Sequence, residues 1–372
     1  VQLRTEKNDR LATLDGLRGL AAIAVALFHG SAIFNLGWIP RHAYLAVDFF
    51  FLLSGYVIGR SFDRRLQQGW VIGFLRRRLI RLYPFIVAGS LIGFLELVLD
   101  GVFGRTLSIS QAGLDLVSAL FLIPTPPLIS NGWRIFPVDP PLWSLFFEAA
   151  AYVAYAVAAP FLRNRYLWLM VGVSGLALAW AMFAGNGDDF GLVNFRLAGL
   201  RVTFSFFLGV ALYRALGPKP KHFAMPFIAT PMIFIVLVVV LLSPMPLGWI
   251  GDFVAVFAVF PCLLVFALIA NPGGGRSRAA SFTFGLTSYP VYAIHFPLFR
   301  LAYEALFRKF DLTGRTLGMV ATLAAVLFLS WLLAVLYDRP LRRWLSAVTS
   351  GPDSPGSPEG SPEAQSSSGY LV

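Results

Sequence analysis

Charge is what this chain has least of. Of its 372 residues 13% are Asp, Glu, Lys or Arg, against roughly 25% in soluble globular proteins. That is too little charge to coat a composition that is 57% hydrophobic and 15% aromatic. A single cysteine, Cys262, excludes both a disulfide framework and a cysteine-based metal cluster. The chain has no G-x-x-x-x-G-K-[ST] loop, no H-E-x-x-H and no G-x-S-x-G. ATP coupling, zincin chemistry and hydrolase chemistry therefore lack a motif. With a mean hydropathy of +0.71, the composition describes a membrane-embedded protein.

What is present is a series of long apolar runs. A spanning helix needs about 20 apolar residues, and the segments 14–34, 44–62, 82–100, 142–162, 166–184, 196–215, 223–243, 249–270, 284–307 and 315–337 qualify. The fold class expected is all-α, polytopic, with about ten transmembrane helices. The stretch 113–123 is apolar but too short to cross, and is expected to form a half-helix or an interfacial segment. Residues 1–10 read as a cytoplasmic N-terminal segment, 11–345 as the transmembrane domain, and the Ser/Pro/Gly/Glu-rich 346–372 as a disordered tail. The first apolar stretch carries Asp15, Arg18 and His29, which argues against a cleaved signal peptide. The connection 101–141 is rich in proline and reads as a rigid cover.

The net charge of +11 has a topological explanation. With the N-terminus inside, twenty of the thirty Lys and Arg residues fall in inner segments, six in outer ones and four within spans. Cytoplasmic loops collect such residues, so both termini are expected in the cytoplasm of a cell (inner) membrane. Nucleic acid is not needed as a partner.

Ionisable groups within spans are costly and are candidates for function. Arg18 and His29 are eleven residues apart. On a helix this leaves them about 20° from alignment and about 16.5 Å apart along the axis, on one face. They define a slot with an anion-binding group at its mouth and a titratable base inside, and Asp15 is placed to orient Arg18. The bland alternative is a snorkelling arginine and a histidine that glues helices together. Asp48, in AVDFFFLLSGY, has a structural alternative as the partner of a cation. Glu148, after PPLWSLFF, is a buried carboxylate able to orient an imidazole or bind a sugar hydroxyl. His295, in SYPVYAIHFP, is a second membrane histidine, preceded by Ser288 and Tyr289. Arg196, Arg201, Glu96, Asp252, Arg300 and Glu304 lie near span ends and are expected to snorkel. The inner loop FLRRRLIRLYP (74–84) places Arg76, Arg77, Arg78 and Arg81 within reach of one another as a basic ridge. Topology and lipid headgroups account for such a ridge, and so does a phosphate-bearing cytoplasmic ligand.

In order along the chain, LDGLRGLAAIAVALFH (14–29), AVDFFFLLSGY (46–56), FLRRRLIRLYP (74–84), PLWSLFFEAAAYV (141–153) and SYPVYAIHFP (288–297) resemble the membrane acyltransferase-3 family. That family O-acylates glycans and some small molecules. The resemblance implies about ten spans and acetyl-CoA or another acyl-CoA as a donor entering from the cytoplasm, with no metal. It implies that His29 is essential for transfer and that Arg18, Arg76 and Arg78 engage the donor, with Arg77 and Arg81 beside them. It carries over Asp48, Glu148 and His295 as further site or structural residues. Where the family favours Glu before x-Pro at the end of its last span, this chain has Asp338-Arg339-Pro340. Many relatives carry a fused extracytoplasmic esterase-like domain, and none is expected here.

The activity expected is O-acylation, chiefly O-acetylation, of a cell-envelope or secreted glycan or lipid-linked saccharide. Acylation of a cytosolic glycosylated small molecule is an alternative within the same chemistry. A proton-coupled secondary transporter would use the same buried His, Asp and Glu, but no repeated pair of broken spans marks an inverted repeat. A passive place in a glycan-assembly complex is the structural alternative. His29 has two routes: deprotonating the acceptor hydroxyl, or accepting the acyl group itself.

Overall fold

Within hydrocarbon each backbone N–H and C=O must be satisfied by the protein itself, which leaves helices as the natural element for this composition. Every described regular element of the computed structural model is helical. The structure describes residues 2–102, 109–125, 135–185, 195–217, 229–243, 248–269, 275–338 and 340. The expected tail 346–372 and Arg339 lie outside the described residues.

The order is α1 (Gln2–Ile33), a short 3-10 turn (Ala43–Leu45), α2 (Ala46–Gln67), α3 (Val71–Val102), α4 (Ile109–Leu120) and α5 (Leu142–Ala158). There follow α6 (Asn164–Phe183), α7 (Phe195–Leu216), α8 (Ala229–Leu242) and α9 (Gly248–Val254), which runs through a π-turn (Ala255–Val259) into α10 (Phe260–Ile269). α11 (Gly275–Ala302) ends in a π-turn (Tyr303–Phe307), and α12 (Leu312–Leu332) in another (Leu333–Asp338).

Seven helical stretches among the described residues are long and apolar enough to cross a membrane. They cover the expected spans that begin at 14, 44, 82, 166, 196, 249 and 315. The expected spans 142–162 and 223–243 contain shorter apolar helices, Leu142–Ala158 and Thr230–Leu242. The expected span 284–307 lies in α11, which is long but carries two prolines, a histidine and several hydroxyls. α11 tolerates these groups because α1, α3 and α12 pack around it. The stretch 113–123 largely coincides with α4, which rests on α3 and buries Ala112, Asp115 and Ala119. At 12 residues it spans about 18 Å, too little to cross.

One local expectation fails. Residues 74–84 are not a loop: α3 begins at Val71 and continues through Pro84. Arginine is a good helix former, and the run Phe74, Arg78, Leu82, Phe85 recurs at helical spacing on the buried face.

The tightest contact is the crossing of α2 and α7. A Cβ on Gly55 would lie 1.9 Å from the Phe206 carbonyl oxygen, and one on Gly209 2.2 Å from that of Leu52. Small residues let membrane helices pack backbone to backbone. On the periphery, Leu169, Leu176, Trp180, Leu317, Phe328 and Leu336 are exposed as a lipid-facing surface requires. Gly55→Val or Gly209→Val should therefore destabilise the protein by about 1–3 kcal/mol, the usual cost of overpacking. The check is the denaturation midpoint in detergent, with Gly172→Val unchanged because a Cβ there meets nothing within 4 Å.

Candidate active site

The pairing of α1 with α11 brings the two membrane histidines together. His29 Nδ1 lies 2.9 Å from His295 Nε2, although 266 residues separate them in sequence. The rings stack with centroids 5.1 Å apart at 24°, and Phe296 closes edge-on at 5.2 Å. His295 is fully buried, and its Nδ1 lies 3.0 Å from the Val291 carbonyl oxygen. A carbonyl only accepts, so His295 Nδ1 bears the hydrogen. In the neutral pair His295 Nε2 then carries a lone pair, and His29 Nδ1–H donates to it. The basic lone pair of His29 is thereby fixed at Nε2. The second ring selects the tautomer of the first, as orienting partners of catalytic and metal-bound histidines do.

Arg18 lies on the same side of α1. It is buried, with Nη1 3.5 Å from Asp15 Oδ1 and the guanidinium carbon 5.9 Å from the Tyr289 ring of α11. From α3, Arg81 approaches the same ring at 4.9 Å. One turn earlier, buried Arg78 sits among Phe62, Phe74 and Tyr152 at 4.8, 5.7 and 5.7 Å. Nε and Nη2 of Arg78 and Nη1 of Arg81 are buried, with no hydrogen-bond partner among the described residues. Leaving charged donors buried and unsatisfied is expensive, and such groups ask for a ligand or a function.

The expected single ridge of four arginines is split. Arg78 and Arg81, three residues apart, face inward, whereas Arg76 and Arg77 are exposed. Residues two apart on a helix point nearly opposite ways, so Arg76 and Arg78 do not converge. Arg77 and Arg65 instead flank the Trp70 indole at 5.1 and 5.4 Å.

Glu148 is buried in a hydroxyl network. Ser54 Oγ donates to its Oε1 at 2.7 Å and lies 2.9 Å from Tyr152 OH, which also donates to Glu148. Next to it Ser144 Oγ and Tyr292 OH are 2.6 Å apart. A cavity of about 40 Å³ is bounded by Ser54, Glu148, Ser144 and Tyr292 and by Arg18, Phe50 and Tyr289. Arg18 and Tyr289 are on its lining, and Tyr292, also on it, is one helical turn from His295, with ring centroids 5.7 Å apart. A larger groove of about 390 Å³ by Met232 and Phe266 is lined by apolar side chains and Cys262, and carries no chemistry.

Asp48 stands apart from the histidines, in an ion pair with Arg201 that is 1% exposed on both sides. The Arg201 guanidinium also lies over the Tyr44 ring at 5.5 Å, and Tyr44 OH and His42, at 3.1 Å, both meet Asp252. The snorkelling expected of Arg201 and Asp252 is thus wrong. Glu96 and Arg300 also turn inward as a pair at 2.9 Å, with Glu96 2% exposed. Partners on neighbouring helices satisfy these charges inside the protein, so they need not reach the headgroups. Arg196 does remain exposed, and Glu304, partly exposed, meets Arg308 at 3.6 Å.

The sequence reading missed Ser54, Ser144, Tyr152 and Tyr292, because hydroxyls on apolar helices carry no periodic signal. It also missed Asp139, whose carboxylate is fully buried with neither oxygen hydrogen-bonded among the described residues. Burial pushes that carboxyl well above the usual range. Among the described residues no three His, Cys, Asp or Glu converge as a metal site would require.

Comparison with known proteins identifies the family. The acyltransferase-3 profile, described as an acyltransferase domain, matches residues 11–335. A protein provisionally named membrane-bound transacylase BcsY, from Komagataeibacter xylinus, is 30% identical over 352 residues, covering 89% of this chain and 83% of its own. "Protein 2 in picA locus" of Rhizobium radiobacter is 32% identical over 181 residues, 46% of this chain and 93% of its own. The O-acetyltransferase OatA of Staphylococcus aureus is 31% identical over 170 residues, 42% of this chain and 26% of its own. No solved structure matches. With the family profile covering most of its length, the chain belongs to the acyltransferase-3 family and is a helical membrane acyltransferase.

Proposed function

We propose that the protein moves an acetyl group from cytoplasmic acetyl-CoA to a hydroxyl of a cell-envelope or secreted glycan, using His29 as the general base. The observation that carries this reading is the histidine pair, 2.9 Å apart, together with buried N–H groups of Arg78 and Arg81 that have no hydrogen-bond partner among the described residues. An acyl-CoA has the complementary shape, a phosphate-rich head on a long arm that ends in a thioester. Arg78 and Arg81 bind the head, because guanidinium pairs bidentately with phosphate, and Arg18, which lines the cavity, engages the donor nearer its thioester end. The exposed Arg76 and Arg77 draw the donor in by long-range attraction.

At the other end, Nε2 of His29 takes the acceptor's hydroxyl proton as the oxygen attacks the thioester carbonyl. The C–S bond breaks, the C–O bond is complete, and the thiolate leaves with the proton returned from His29. No net proton is produced. His295 holds the reactive tautomer and shares the charge of the transient imidazolium. Glu148 orients the site through Ser54 and Tyr152, and the Asp48–Arg201 pair holds α2 against α7. Support for transfer of an acetyl group to a hydroxyl comes from the OatA and BcsY relatives, whose names specify O-acetyl transfer and transacylation. A cytoplasmic donor side is supported by charge, since Arg78 and Arg81 lie near Arg64, Arg65, Arg76 and Arg77 in sequence, and cytoplasmic ends collect such residues. In full, the reading is a ten-span domain over 11–345 in the inner membrane, with both termini cytoplasmic.

Purified protein in vesicles, given acetyl-CoA and a lipid-linked saccharide extract, should release free CoA thiol only when the extract is present. His29→Ala should lower that rate by at least 10²-fold, as loss of a general base does. Solute flux without thioester consumption would contradict the reading. A second outcome concerns the donor head: Arg78→Ala should weaken acetyl-CoA binding at least tenfold, about 1.4 kcal/mol, and Arg76→Ala clearly less. Equal effects in a calorimetric titration would remove the inward-facing assignment.

A further inference from the structure

We propose that the cavity between α2, α5 and α11 holds the acyl group of the donor, and that Phe50 closes it so that acetyl is accepted and longer chains are refused. The inference rests on the acyl-CoA reading above and specifies the substrate class of that site.

Position is the first argument. The cavity is lined by Tyr292, whose ring is 5.7 Å from that of His295, and on another side by Arg18 and Tyr289. A thioester brought to His29 has its acyl end next to the cavity.

Lining is the second. One wall is apolar, formed by Val47, Phe50, Phe51 and Leu145. The other is polar, with the Ser144 and Tyr292 hydroxyls 2.6 Å apart and Ser54 beside Glu148. An acyl group presents the same two faces, an alkyl end and a carbonyl. The pantetheine arm does not match, because its amides would meet the apolar wall unpaired.

Size is the third. A buried site needs about 10–15 Å³ of this kind of space for one water, so about 40 Å³ holds a few non-hydrogen atoms. Acetyl has three. The Phe50 ring packs edge-on against Tyr292 with centroids 5.8 Å apart, so the two rings together bound the cavity. Interiors packed this closely do not open for an extra methylene without cost. One methylene too many in an apolar pocket is worth about 10–200-fold in discrimination.

The test is binding of CoA, acetyl-CoA and butyryl-CoA to the full chain in detergent, which needs no acceptor. In the unaltered protein butyryl-CoA should bind at least tenfold more weakly than acetyl-CoA. Phe50→Ala should bring the two within about threefold by leaving a cavity where the ring was, and Phe50→Leu should fall between. Val47→Phe should fill the cavity, so that acetyl-CoA binds more weakly while CoA itself, which has no acyl group, binds as before. Retained CoA binding shows that each variant is folded. If all variants bind CoA but the acetyl to butyryl ratio does not move, the acyl pocket is overturned and the acyltransferase reading stands. If the unaltered protein binds neither CoA nor its thioesters, the donor assignment itself fails.

Discussion

A polar side chain inside a bilayer has to find its partners within the protein, and the contact of His29 with His295 is where that constraint shapes this molecule most. Each ring would be costly alone among apolar helices. Together they hydrogen-bond at 2.9 Å, and the outer nitrogen of His295 is tied back to its own helix at Val291. α1 and α11 must then run side by side in one register. With that register set, Arg18 comes over Tyr289, and Tyr292 turns toward Ser144 and α5. The polar α11 is kept away from lipid by α1, α3 and α12.

The same rule organises the remaining charge. Asp48 with Arg201, Asp63 with Arg214, and Glu96 with Arg300 each join two helices, and each carboxylate in these pairs is nearly inaccessible. Replacing one partner of a buried pair costs more than the pair contributes, because the other charge is left stranded. These pairs therefore fix which helices are neighbours. Arg78 and Arg81 depart from the pattern. Their buried N–H groups meet aromatic faces rather than carboxylates, a weaker interaction that leaves hydrogen-bonding capacity for an anion.

Much of this was legible in the sequence. The low charge and long apolar runs gave the membrane fold class, and the eleven-residue spacing put Arg18 and His29 on one face before any contact was known. Both do face α11. Local spacing could not say that His295 would be the partner of His29, because the pairing depends on a contact 266 residues long. It also misjudged the arginine run. Helical spacing put Arg78 and Arg81 together, as they are, but could not say that this pair turns inward while Arg76 and Arg77 face outward. The snorkelling expected of Arg201, Asp252, Glu96 and Arg300 failed for a related reason. Position along a span says how far a side chain is from water, but not whether a partner on another helix is nearer.

The central claim is that His295 fixes the hydrogen of His29 on Nδ1 and leaves Nε2 basic. Nitrogen NMR of ¹⁵N-histidine-labelled protein in bilayers reports this directly, with His29→Gln and His295→Gln used to assign the signals. The account predicts that both rings carry hydrogen at Nδ1, and that His29 becomes a mixture of tautomers when His295 is replaced. A His29 ring protonated at Nε2 in the unaltered protein, or unaffected by loss of His295, would contradict it.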